Sequence, residues 1–152
     1  QPISNNEFTE KIATLPSGYV DYLSNKYDIL EKTLNLKTPI RINDFKAIEA
    51  AILKNKAYAE FDKLAELSRK NYPKSMLADY QLGLMYEKTD DLKKAIKSYQ
   101  NAFQKEEIGD LTKDMMLNKA EELKRKLPSK DQKSKEIVEP VIEEPKEEKK
   151  AE

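Results

Sequence analysis

Leu82-Gly83-Leu84-Met85-Tyr86, followed eight residues later by Ala95-Ile96-Lys97-Ser98-Tyr99-Gln100-Asn101-Ala102, decides the fold of this chain. In each half, apolar and small residues recur at helical spacing. Between the halves, Asp90-Asp91 supplies a cap for the second helix. Helices joined by so short a link pack side by side and antiparallel. Gly83 and Ala95 are small where the two helices cross, and Tyr86 and Tyr99 fill the gaps beside the crossings. Ala102 leaves room for the next element, and Leu82 completes the contact surface. Large beside small at fixed offsets lets helices interdigitate at a separation of about 8–10 Å.

Moved back by 34 residues, the same slots hold Phe45, Ile48, Glu49, Ile52, Phe61, Ala65, Ser68 and Pro73. Phe61 and Ala65 exchange the large and small members of the Ala95/Tyr99 pair, which roughly conserves the volume to be packed. Glu49 fits poorly in the slot of Gly83, as does Asp79 in the slot of Phe45 and Glu107 in that of Pro73. Moved forward by 34, the slots hold Met116, Leu117 and Ala120, and soon afterwards the composition changes. The reading is two abutting repeats, 42–75 and 76–109, closed by one solvating helix over 110–127. An array of this kind needs such a cap because each repeat leaves an apolar face for its neighbour.

Outward from there the helical period persists. Tyr19, Tyr22, Leu23, Lys26, Tyr27, Leu30 and Leu34 share a face, with Ser17 as the expected N-cap and Pro39 beyond the end. Asn43, Ser75 and Asp110 are the cap or start residues expected for later helices, and a short helix is expected over 7–14. Only three Gly occur, and no stretch alternates long enough for a strand, so the fold class is all-α. All twelve aromatic residues lie between Phe8 and Phe103, whereas 128–152 holds three of the seven Pro and mostly Lys and Glu. A stretch of that composition does not bury enough apolar surface to offset its ordering entropy, so the tail is expected to be disordered. Its one apolar patch is Ile137-Val138 and Val141-Ile142 around Pro140. The organisation read is an N-terminal helical segment over 1–41, the repeats with their cap over 42–127, and the tail over 128–152.

The spacing from Leu82 to Ala102, with its partner 34 residues earlier, resembles the tetratricopeptide (TPR) repeat. That resemblance implies an α-solenoid of helical hairpins whose first helices line a peptide-receiving face. A narrower resemblance rests on Leu23-Ser24-Asn25-Lys26-Tyr27, Pro39, Tyr72-Pro73-Lys74-Ser75, Leu82-Gly83-x2-Tyr86 and Ala95-Ile96-Lys97-Ser98-Tyr99, in that order. These resemble the TPR-like C-terminal extension of α/β-hydrolase-fold esterases common in Bacteroidetes, over about Tyr19 to Phe103. That likeness implies an accessory domain of a longer ester hydrolase. No catalytic residue carries over, because the chain has no Gly-x-Ser-x-Gly elbow and no His to activate a serine.

Composition narrows the function further. With no His and no Cys, the chain lacks imidazole and thiolate metal sites and His-dependent nucleophiles. Lys+Arg and Asp+Glu are 28 each, which argues against nucleic-acid binding, and no apolar run is long enough to span a membrane. The acidic pairs Asp90-Asp91, Glu106-Glu107 and Glu121-Glu122 read as caps and solvated faces rather than catalytic dyads. No catalytic residue, metal or cofactor is therefore expected. The expected binding face takes Lys46, Leu53, Lys54, Leu77, Tyr80, Leu84 and Lys88, together with Asn43, Ala50 and Glu87. Its lysines suit acidic groups, and Tyr80 and Leu84 suit an apolar anchor. The plainer alternative is that Tyr80 and Leu84 pack against the N-terminal helix or another domain. The expected partner is another protein or another domain of the same polypeptide, with weak self-association as a further expectation. Gln1 follows neither Met nor a basic-apolar leader, which reads as a processed protein or a piece of a longer one. The compartment stays open between the cytoplasm and export with the leader removed.

Overall fold

The structure, a computed structural model, describes residues 5–128 of the 152. Seven helices follow one another: α1 Asn5–Thr14, α2 Tyr19–Leu34, α3 Ile42–Asn55, α4 Glu60–Asn71, α5 Leu77–Lys88, α6 Leu92–Phe103 and α7 Lys113–Lys126. Among the described residues there is no strand beyond isolated bridges, and the chain is an all-α helical array. The expected disordered tail lies outside the described residues apart from Pro128.

Side-chain partners show how consecutive helices run. Asp79 of α5 pairs with Lys105, just past α6, Gly83 faces Tyr99, and Lys94 lies over the Tyr86 ring at 5.6 Å. Positions ascend on one helix as they descend on the other, the register of an antiparallel hairpin. Ser68 with Gln81 and Arg69 with Asp79 give the same register for α4 and α5. Phe103 with Lys113 and Tyr99 with Lys119 give it for α6 and α7. Thus α5 and α7 run in the same direction, and the short turn after Asn55 returns α4 against α3.

The spacing of 34 also recurs in the backbone. Lys56, just past α3, and Asp90, just past α5, both adopt left-handed conformations, with φ of 56° and 63°. Such φ values are uncommon for non-glycine residues, so a recurrence at this interval is informative. Burial follows the same interval: Phe61 and Ala95, Ala65 and Tyr99, and Ser68 and Ala102 are all buried. At Gly83, an added Cβ would sit 2.5 Å from Cε1 of the buried Tyr99 ring. Thirty-four residues earlier these positions hold Glu49 and Ala65, so the bulk sits on the other member of the pair, and both are buried.

Several helix starts differ from the sequence reading. Ser17 does not cap α2. Instead Glu60, on α4, accepts hydrogen bonds from the Gly18 and Val20 amides at 2.8 and 3.2 Å. Asn43 lies inside α3, whose N-cap position is Arg41. Asp110 does not begin α7; Thr112 caps it by accepting from the Met115 amide, and Glu107 accepts from the Lys113 amide. Asp91 does cap α6, accepting from the Lys94 amide. Ser75 accepts from the Leu77 amide at 3.2 Å at the start of α5.

Two buried charge clusters tie the array together. Asp44 on α3 accepts from Lys26 Nζ at 3.0 Å and from the Tyr27 hydroxyl at 2.6 Å, while Lys26 lies 4.1 Å from the Phe8 ring centroid. Phe8 also stacks on Tyr22, so α1, α2 and α3 meet at this lysine. Asp79, out of pattern in a slot suited to an aromatic, is 3% exposed and held between Arg69 and Lys105. Two cations supply what a buried carboxylate needs, so the departure is accommodated without an apolar side chain.

Candidate interaction surface

On α3 the residues opposite the core are open: Asn43, Lys46, Ala50 and Lys54 are exposed and Leu53 is half-buried, while Phe45, Ile48 and Ile52 are fully buried. The corresponding row on α5 is largely closed. Leu77 and Leu84 are buried in the core, 1% and 7% exposed, so neither side chain lines an open face. The reason is position. Helix α5 packs closely between α4 and α6 and is reached from α3 by Glu49, whereas Asn43, Lys46, Ala50 and Lys54 of α3 stay exposed. Tyr80 and Glu87 remain half-buried and Lys88 is exposed. Of the expected face, Lys46, Lys54 and Lys88 are therefore exposed and Leu53 and Tyr80 half-buried, while the two leucines are closed off. Of the residues assigned to packing, Gly83, Ala95, Tyr99 and Ala102 are buried, and Leu82 and Tyr86 are half-buried.

Polar contacts stitch this face together. Lys46 donates to Asp110 at 2.7 Å, linking α3 to the turn before α7. That contact holds the Asp110 carboxyl below its usual range and Lys46 above its own. Gln81 donates to Glu49 at 2.9 Å and accepts from the Ser68 hydroxyl at 2.7 Å, a buried chain joining α3, α5 and α4. Tyr99 donates to Glu87 at 2.8 Å, and its ring lies 6.3 Å from that of Tyr80. Burial first, then the charges of Glu49, Asp110 and Glu87, pushes the Tyr80 hydroxyl up to about 12. Tyr80 is therefore a neutral hydrogen-bonding phenol with an apolar ring at ordinary pH.

Glu49 carries a property that sequence reasoning missed, although its misfit in the slot of Gly83 was the available signal. Burial raises its carboxyl from 4.5 to about 7, against the lowering effects of Gln81 and Lys46. The folded state therefore holds this proton more tightly than the unfolded chain between those two values. That contribution to stability is full below about 4.5, is lost as pH rises towards 7, and is gone above it. Glu49→Gln is expected to flatten this part of the pH profile and to raise stability at pH 8 by about 2 kcal/mol. Urea unfolding of both proteins at pH 5 and pH 8 checks it. Equal differences between them at the two pH values would contradict it.

One member of each described acidic pair is engaged as a cap or in an ion pair. Asp91 and Glu107 accept backbone amides, and Glu121 pairs with Lys124. Among the described residues, no cluster of three or more carboxylates fit to hold a metal ion occurs, and no helix is long and apolar enough to cross a membrane. Away from this face, α2 and α4 enclose an open cavity of about 630 Å³ with Val20 and Leu67 among its lining and Lys63, Arg69 and Lys70 beside them.

No protein-family model matches the chain, and no curated protein matches it either. Among solved structures it is similar to an uncharacterised protein from the Bacteroidetes species Capnocytophaga ochracea, at 33% identity and a TM-score of 0.73 over 82% of this chain. The match takes up 35% of that protein, so the chain spans about a third of its neighbour's length.

Proposed function

We propose that this chain is a non-catalytic interaction module of the TPR type, which contacts another protein or another domain through the face of α3 and α5. The observation that carries this reading is the 34-residue recurrence in burial and in the left-handed residues Lys56 and Asp90. A stack of like hairpins presents its first helices side by side, and here the outer row of α3 is left uncovered. The absence of His and Cys, with Asp91 and Glu107 engaged as caps, supports a role without chemistry of its own.

A second reading is favoured by one specific observation, the longer neighbour of which this chain matches about a third. In that reading the chain is an accessory domain within a longer polypeptide. The order of motifs from Leu23 to Tyr99 supports an ester hydrolase as the parent. The two readings differ in whether the partner is another protein or another part of the same polypeptide, and the second expects that part to cover the apolar surface of the N-terminal segment up to Tyr22 rather than the face of α3 and α5.

Peptides selected from a displayed random library against the full chain test the first reading. Binding is expected to weaken by about ten-fold or more, or roughly 1.4 kcal/mol, in Lys54→Glu combined with Lys88→Glu. Both lysines are exposed, so the fold should be unchanged by circular dichroism. Binding that survives this change but is lost in Leu34→Ser with Leu36→Ser, at the exposed leucines around the end of α2, would overturn the reading.

A further inference from the structure

Beyond α7 the chain continues with residues 129–152, whose first part is basic (Lys130, Lys133, Lys135) and whose next part is acidic. Within 136–148 there are six Glu and one Lys, with the apolar pairs Ile137-Val138 and Val141-Ile142 set among them. The face described above is complementary in both respects. Lys54 and Lys56 at the end of α3 and Lys88 at the end of α5 are exposed, and none of them takes part in an ion pair among the described residues. Leu53 and Tyr80 offer half-buried apolar surface beside them.

Geometry puts the acidic stretch within reach. Because α5 and α7 run in the same direction, α7 ends at the same edge of the array as Lys88. Lys46 of α3 bonds Asp110 in the turn before α7 at 2.7 Å, so α3 and α7 lie within about two helix spacings, roughly 20 Å, of each other. The eight residues between Pro128 and Ile137 span up to about 30 Å when extended, which covers that distance. The tether raises the local concentration of the segment to the millimolar range, so even a weak contact is populated.

We propose that residues 136–148 of this chain occupy the face of α3 and α5, seating their glutamates against Lys54, Lys56 and Lys88. The proposal rests on the interaction-module reading and names the first ligand of that face as the chain's own acidic segment. An outside partner then has to displace it.

The chain has no cysteine, so Lys146→Cys provides a unique site for a nitroxide label on the full-length protein. At low ionic strength the label is expected to remove at least about half of the amide signal intensity at Lys54, Lys56 and Lys88 relative to the reduced label. The loss should vanish in high salt and in Lys54→Glu, Lys56→Glu, Lys88→Glu, with Lys→Gln at the same positions giving an intermediate result. Broadening confined to the α2–α4 cavity or to the end of α7, broadening indifferent to the charge reversal, or no broadening would overturn the proposal. If library peptides still bind α3 and α5 in that event, only the self-docking falls. If they also bind elsewhere, the interaction reading falls with it.

Discussion

Gly83→Val is expected to lower stability by about 3 kcal/mol or more, a drop of roughly 10 °C in melting temperature for a domain of this size. The cause is steric. Even the first added carbon would sit 2.5–2.8 Å from three atoms of the Tyr99 ring, which is fully buried and anchored by its hydroxyl on Glu87. Neither the ring nor the helix backbone has room to give way. The helical preference of a side chain over glycine returns less than about 1 kcal/mol, too little to offset overpacking. Gly83→Ala meets the same contact with a smaller group and should lose about half as much. Tyr99→Leu placed in the same chain as Gly83→Val should recover at least about 1 kcal/mol, because it moves bulk across the crossing as Glu49 and Ala65 do 34 residues earlier. Thermal unfolding of the parent, Gly83→Val, Tyr99→Leu and the double variant checks it, and additive losses would contradict the close crossing.

Asp44→Ala is expected to cost about 3–5 kcal/mol, because it strands a charge rather than merely removing a contact. The Lys26 side chain is 4% exposed and Asp44 is its ion-pair partner; the remaining neighbours are the Phe8 and Tyr27 rings. The Tyr27 hydroxyl loses its acceptor at the same time. Lys26→Met with Asp44→Leu should regain most of the loss, since apolar side chains of similar volume remove both desolvation penalties. Chemical denaturation distinguishes the outcomes. A single variant within about 1 kcal/mol of the parent would mean that Lys26 finds water, contrary to its burial.

How much of this was legible in the residues depended on the range of the interaction. The hairpin of α5 and α6 was readable because Gly83, Ala95, Tyr99 and Ala102 act across one short turn. The interval of 34 was readable because positions that far apart are buried alike even where their identities differ. Helix starts were less readable. The N-terminus of α2 is satisfied by Glu60, a carboxylate 42 positions away, and no local rule points to it. Asp79 and Glu49 looked like misfits because their compensations lie elsewhere in the fold: Arg69 on α4 and Lys105 just past α6 for one, Gln81 on α5 for the other. The exposure of the expected face was half legible. Repeat position named residues of α3 that are exposed or half-buried, but on α5 it named Leu77 and Leu84, which are buried.

The central claim is that α3 and α5 present a binding face and that the chain acts through it. Amide shifts of the isotope-labelled full chain, followed while a library-selected peptide is added, test it most directly. The account expects the largest shifts at Lys46, Leu53, Lys54, Tyr80 and Lys88. Largest shifts among Leu34, Leu36 and the residues lining the α2–α4 cavity, with those five unmoved, would contradict it.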